Sequence, residues 1–516
     1  MGLTSNSSSS EGLQLCVFDM RRGQEEGHEL DKILFFFPTS CSLTSQLSVI
    51  GLSEGLITFT RIFSPEAPCE VIDTDKHSHV LYQPEADIWM ILVVEKSKEY
   101  KEVSRPSALK SVLKEAHCLF TMFFGSIRAL LEKQPNGATV RSCLYAFYTD
   151  YLSDFIVGKK FQMPSFCESL VERGTIQMLS IGRETALEVQ SLVRFLESSF
   201  TGSIPRHSLI LFNDFLVSTT LPSGDTTNLY TYAVLRLTPN AIASGVNSRS
   251  YLKKGNLAVR DPVSPMFSNV TPVPEDVSPT SRDTSPVRQD RKFQVPRPLQ
   301  HEKWWREKDG FLMTDIWGTE IAGRSALSPT VWLQQTEERM HLCAYQYKSL
   351  TILLLIPAGS SANGMQGISI LKQQLLENAY LKILKLEEKL SREWGGGNTY
   401  HVPGYRYLFC DNDKNVSRAS PPGKVTTLSK SSLAALSKMR AEVDLVKKRA
   451  ERDNQIHGQD LEVCMRAKNN SWIISRISGG NELYMALEKA SETLLYASDA
   501  VEKFSKRYCN GVFSSD

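Results

Sequence analysis

The sequence predicts an α+β fold of three similar units, each an antiparallel sheet flanked by helices, with a disordered proline-rich insertion inside the second. Three observations predict it. A short apolar strand, a turn and a long amphipathic helix recur in that order three times. The strands upstream of each helix are joined by hairpin-type turns rather than by helical crossovers. One stretch, by contrast, is too rich in proline and too poor in large apolar residues to build a core. The units span about 12–165, 205–395 and 400–510, and the insertion about 245–298.

In the first unit, LQLCVFD (13–19) and KILFFFP (32–38) are strands, and LTSQLSVIGLSEGLITFTRIF (43–63) is a helix with two apolar sides. At about 100° per residue, Val49, Leu52, Leu56, Phe59 and Phe63 form one stripe with core-facing spacing. Leu43, Leu47, Ile50 and Ile57 lie nearly opposite, with Glu54 and Arg61 among them. The first stripe is expected to pack on the sheet, which leaves the second side for another surface. The strand DIWMILVVEK (87–96) and a helix from about Ser107 to Glu132 close the unit.

In the second unit, SLILFNDFLVSTT (208–220) reads as a hairpin turning on Asn213-Asp214. SLTILLLIP (349–357) leads into a helix over about 367–394, with Leu371, Leu375, Ala379, Leu386 and Leu390 inward. Eight prolines between 241 and 300 mark the insertion, and Ser264, Ser278 and Ser285, each followed by proline, are candidate phosphosites. In the third unit, GYRYLFCD (404–411) and SWIISRI (471–477) are strands, with a helix from about Leu428 to Arg449 between them. Gly479-Gly480 then break the chain before Asn481, expected to cap a helix whose stripe runs from Leu483 to Tyr508 in strict 4–3 spacing.

Composition narrows the function classes. Lys+Arg 59 against Asp+Glu 57 give no general electrostatic reason to expect nucleic acid, and only local patches could meet an anionic membrane. The N-terminus MGLTSNSSSSEG has no apolar signal-peptide core, and Asn6 departs from the myristoylation pattern. The longest apolar runs, Trp89–Val94 and Ile352–Ile356, fall far short of the ~20 residues of a spanning helix, so any membrane contact is expected to be peripheral. Ten well-spaced cysteines without a CxxC read as reduced core thiols of a cytosolic protein.

Enzyme motifs fail in turn. Gly423-Lys424 lacks the rest of a phosphate-binding loop, and no dinucleotide fingerprint, nucleophile elbow, HExxH or kinase set is present. His77-x-His79 would place two rings on one strand face, but the sequence offers no third ligand. No catalytic residue, metal or cofactor is expected; the pattern is that of a protein that works through its surfaces.

Two blocks, LQLCVFDMRRGQEEGHELDKILFFFP (13–38) and QLSVIGLSEGLITFTRIFSPEAPCEVI (46–72), resemble the opening of the Ccz subunit of the Mon–Ccz complex, the vacuolar fusion protein family, and its plant members most. The resemblance implies three longin-like domains, each ordered strand, strand, helix, three strands, helix. It also implies a heterodimer with a Mon-type longin subunit, acting as guanine-nucleotide exchange factor for a late-endosomal or vacuolar Rab GTPase of the Rab-seven class. Such a protein would be cytoplasmic and peripherally associated with the late endosome or prevacuolar compartment. The family has no short catalytic motif to carry over. Leu43, Leu47, Ile50, Glu54, Ile57 and Arg61 are therefore the interface candidates on the helix pattern alone. A longin tether or adaptor without exchange activity is the alternative.

Overall fold

The computed structural model describes residues 13–65, 69–95, 106–159, 175–179, 181–198, 205–242, 309–312, 329–358, 364–395, 405–413, 415–420, 429–452, 461–478, 480–487 and 493–508. The segment 245–298, with Ser264, Ser278 and Ser285, lies outside them.

Three antiparallel sheets share one connectivity. The first contains β1 (Leu13–Asp19), β2 (Ile33–Phe37), β3 (Val71–Asp73), β4 (His77–Glu85) and β5 (Ile88–Glu95), with α1 (Leu43–Phe63) between β2 and β3. After β5 come α2 (Pro106–Phe124), α3 (Ile127–Lys133), α4 (Ala138–Lys159), a short β6 (Ile176–Gln177) and α5 (Arg183–Ser198). The second sheet comprises β7 (His207–Phe212), β8 (Phe215–Thr219), β9 (Phe311–Leu312), β10 (Thr330–Leu333), β11 (Glu338–Tyr347) and β12 (Leu350–Pro357), with α6 (Ser223–Arg236) after β8. It is followed by α7 (Gly364–Gln374), a π turn (Leu375–Ala379) and α8 (Tyr380–Gly395). The third comprises β13 (Tyr405–Asp411), β14 (Val416–Ala419), β15 (Leu461–Arg466), β16 (Trp472–Ser478) and β17 (Asn481–Leu487), with α9 (Lys430–Arg452) after β14 and α10 (Leu494–Tyr508) at the end.

The spatial orders are β2-β1-β5-β4-β3, β8-β7-β12-β11-β10 and β14-β13-β17-β16-β15. Within each unit the second strand stands at one end of the order and β3, β10 or β15 at the other; β9 also pairs with β11, beside β10, and β6 adds to β14. The recurring unit read from the sequence is therefore a true structural repeat.

Three local readings change. The helix expected over 107–132 is two helices, because Gly125 takes φ +89° and Ser126 caps α3 by accepting from the Ala129 N–H. The stripe of the 367–394 helix is buried as expected, but its run Leu371, Leu375, Ala379, Ile383 is a 4-4-4 spacing. On a regular helix that would walk about 120° at 100° per residue, and the π turn absorbs the drift. The helix expected from Asn481 is wrong in its first turns: Asn481–Leu487 is β17, and Gly480 (φ +85°) belongs to the hairpin that pairs Ser478 with Asn481. β17 is a central strand covered on both faces and is apolar from Leu483 to Leu487, so it carries no period-2 signal and Leu483 and Leu487 fall on a helical spacing by chance. Ala497, Val501 and Phe504 of the expected stripe are buried in α10, but Leu494 at its start is exposed.

The first and second sheets share a core. α2, α3, α4 and α6 lie between them, where Leu119, Phe120, Phe147, Tyr148 and Tyr232 pack between Val17 and Met90 of one sheet and Leu211 and Leu353 of the other. Phe123 meets Tyr232 edge-on at 5.0 Å, and Arg236 pairs with Asp150 at 3.5 Å. The far side of the second sheet is covered by α5, α7 and α8, and the third sheet carries α9 on one face and α10 on the other. Among the described residues, α1 is the helix that covers the outer face of the first sheet.

One carboxylate ties the first sheet to the helix layer. Glu85, at the end of β4, accepts from the Ile127 and Arg128 N–H groups, the Ser126 hydroxyl and His117 Nε2 at 2.7–2.9 Å. Burial pushes its pKa up, but these donors outweigh burial and leave it at about 2. A carboxyl lowered in the fold stabilises it above the ordinary value of 4.5 and loses that contribution as pH falls toward 2. Glu85→Gln should cost about 1–2 kcal/mol at neutral pH. Denaturant titrations should show the gap from wild type closing between pH 4.5 and 2; a gap independent of pH would contradict this role.

Candidate functional site

Among the described residues, α1 carries the most exposed large apolar side chains of any element. Ser42 caps it, its hydroxyl accepting from the Ser45 N–H at 3.2 Å, and the helix runs to Phe63. Gln46, Ile50, Ser53 and Ile57 face the sheet. Beneath them lie Phe18, Phe36 and Trp89, all buried, with Cys16, Leu81 and Ile91 around them. The strands supply the bulk, so the helix supplies small and β-branched side chains. The two inward polar residues are satisfied locally: Gln46 donates to the Cys41 carbonyl at 2.9 Å and Ser53 to the Val49 carbonyl at 2.8 Å.

This reverses the expected faces. Ile50 and Ile57, read as interface candidates, are 1% and 0% exposed and belong to the core. Leu47 is half-buried against the same cluster, and Leu43 is exposed at the first turn. Glu54 is held by Lys32 at 2.7 Å. Arg61 donates to Gln83 at 3.1 Å and lies over the Trp89 ring at 5.5 Å. The stripe expected to be core is instead the outer one: Leu52, Phe59 and Phe63 are 56%, 58% and 73% exposed, while Val49 and Leu56 are half-buried.

The outward side is a patch with a definite shape. Ile62 joins Leu52, Phe59 and Phe63, and the Phe59 and Phe63 rings stand edge-on at 5.0 Å. Gly51 and Gly55, one turn apart on this side, have open space where a side chain would be, so another backbone can come close. Four large apolar side chains and two bare glycines on one solvent-facing helix mark an interaction surface. Sequence reasoning found both faces of α1 but gave the outer role to the wrong one.

The first sheet's edges add to this geometry. α4 lies along β2: Arg141 donates to the Ile33 and Asp31 carbonyls, both at 3.0 Å, and the Tyr145 hydroxyl bonds to the Phe36 backbone. Among the described residues, β3 pairs only with β4, so its other side is open. No group of three or more His, Cys, Asp or Glu among the described residues could hold a metal, and the His77 and His79 ring centroids are 6.4 Å apart. No helix among the described residues is long and apolar enough to cross a membrane.

Comparison with known proteins fits this architecture. Residues 13–125 match the family described as the first Longin domain of INTU, CCZ1 and HPS4, so the chain is a longin-domain protein. It is 58% identical to the vacuolar fusion protein CCZ1 homolog of Oryza sativa subsp. japonica and 57% identical to homolog B of Arabidopsis thaliana, each over the full length of both chains. Identity to the CCZ1 homolog of Xenopus laevis is 22%, over 98% of this chain and 97% of that one. The chain belongs to the family of vacuolar fusion protein CCZ1 homologs.

The two faces of α1 should respond oppositely to a charge. Ile57→Asp removes a core side chain worth about 1.5–3 kcal/mol of burial and adds an unpaired buried charge, so it should unfold the first domain. Phe59→Asp places its charge in water and should change the stability by no more than about 0.5 kcal/mol. Circular-dichroism melts of both variants check this; equal destabilisation would mean that Phe59 is packed inside the protein.

Proposed function

We propose that this chain is one half of a heterodimeric guanine-nucleotide exchange factor that activates a late-endosomal or vacuolar Rab GTPase of the Rab-seven class. Its partner is a Mon-type longin subunit. The pair serves endosome-to-vacuole trafficking and fusion, in keeping with the name vacuolar fusion protein that its relatives carry. The complex works in the cytoplasm, in peripheral contact with the late-endosomal or prevacuolar membrane.

What carries this reading is the outward side of α1. The glycine-notched apolar patch sits on the first longin domain, whose opposite face is already occupied by the second. The open β3 edge belongs to the same sheet, and Ile72 of β3 packs in the cluster under α1. A second longin domain placed against that edge would extend the platform on which α1 stands.

A platform is what nucleotide exchange requires. A small GTPase holds its nucleotide through phosphate contacts, Mg²⁺ and ordered switch loops. An exchange factor binds the nucleotide-free conformation better than the loaded one, and that difference in affinity loosens the nucleotide. No bond in the substrate is made or broken. The Leu52, Phe59, Ile62 and Phe63 surface supplies apolar area without any acid, base or nucleophile.

The test is release of fluorescent GDP from the Rab, with the co-purified heterodimer as catalyst. The complex should accelerate release, and this chain alone should leave it near the intrinsic rate. Phe59→Asp should lower the exchange rate by about 30-fold, a loss of about 2 kcal/mol at the contact. A complex that binds the GTP-loaded Rab without speeding release would be a tether. Full activity of the isolated chain would rule out the heterodimer.

A further inference from the structure

Among the described residues, no strand of the second sheet pairs with a strand of the third. Between them lie β6 and the two residues after it, 176–179 of the connector that leaves the first domain. Ile176 and Gln177 pair in parallel with Val416 and Ser417 of β14, and Met178 bridges in parallel to Leu216 of β8. The backbone hydrogen bonds at the junction include Ile176 N–H to Asn415 O at 3.0 Å, Met178 N–H to Ser417 O at 2.9 Å, and Leu179 N–H to Leu216 O at 2.8 Å. Ile176, Leu216 and Ser417 are all buried, so these bonds are shielded from water while they are closed.

Side chains hold the same stretch from the second domain. The Tyr230 hydroxyl of α6 accepts from the Gln177 N–H at 3.2 Å and donates to the Asp214 carbonyl at 2.9 Å. Asn415, in the β13–β14 turn, donates to the Thr227 hydroxyl of α6 at 3.2 Å. Val416 of the third sheet packs against the core shared by the first and second domains, and Ile176 is part of that core.

We propose that β6 is a latch that locks the second and third longin sheets into one mechanical body and sets the position of the third domain from the connector of the first. Without it, β8 and β14 would each be a bare strand edge, and the third domain would hang from the second by 396–404 and by side-chain contacts. With it, both edges are paired. The connector as a whole closes one edge of every sheet, α4 on β2 and β6 on β8 and β14. Among the described residues, β3, β10 and β15 are left as the edges where a partner's strand can add.

Met178→Pro tests the latch in the full-length chain. It removes one N–H, the donor to Ser417, and proline suits an extended edge segment. The Leu179 bond to β8 is not touched by the substitution, so any loosening of β8 must travel through β6. Hydrogen exchange read by mass spectrometry should quicken in the β14 and β8 peptides together, on the order of tenfold for one lost backbone bond. The β17 and β12 interiors should be unchanged, which shows that the sheets remain folded. Met178→Leu, which keeps the N–H, should match wild type. Unchanged β14 exchange overturns the proposal. So does faster β14 exchange with β8 unaffected, because the two sheets would then not be coupled through β6. Equal acceleration in Met178→Leu also overturns it, by assigning the effect to side-chain packing.

Discussion

The outer face of the first sheet leaves little room. Phe18, Phe36 and Trp89 fill it from the strand side, so the helix that covers it can bring only Ile50, Ile57, Ser53 and the folded-back Gln46. That volume constraint fixes the rotation of α1. Once α1 is turned that way, Leu52, Phe59, Ile62 and Phe63 must face solvent, and Glu54 and Arg61 reach the rim, where Lys32, Gln83 and the Trp89 ring hold them. The exposed patch is thus a consequence of the core beneath it, and the core cannot be repacked to hide it without displacing three aromatic side chains.

Among the described residues, the other elements pack away from this face. The opposite face of the first sheet is buried against α2, α4 and α6, which it shares with the second sheet. The connector then runs along β2, passes between the second and third sheets as β6 and ends in α5 on the far side of the second sheet. One stretch of chain therefore joins the domains and seals the strand edges that would otherwise invite unwanted pairing. In the third domain, the buried Arg440 pairs with Glu482 and Tyr484, a polar contact between α9 and the central strand β17 that fixes how the helix lies on the sheet.

Much of this was legible in the sequence because it rests on local pattern. The span of α1, the strands Leu13–Asp19 and Ile88–Glu95, and the hairpin at Asn213-Asp214 are written in periodicity and turn chemistry, and Asn213 takes the positive φ that such a turn demands. The resemblance of 13–38 and 46–72 pointed to the family that the full-length relatives show. What failed depended on partners distant in the chain. The facing of α1 is decided by Trp89 and Phe36, which no helical wheel of 43–63 contains. Asn481–Leu487 read as helix because a doubly covered strand has no alternation. β6 has only two residues paired in its sheet and no periodicity at all, so nothing short of the β8 and β14 edges could reveal it.

The central claim is that α1 carries its bulky apolar side outward to be covered by a partner. Hydroxyl-radical footprinting of Phe59, Ile62 and Phe63 tests it most directly, with the free chain compared against its complex with the proposed Mon-type subunit and nucleotide-free Rab. The account predicts that these side chains are oxidised readily in the free chain and protected in the complex, while Ile50 and Ile57 are protected in both. Phe59 and Phe63 equally reactive with and without partners would contradict it, as would an Ile57 that is reactive in the free chain.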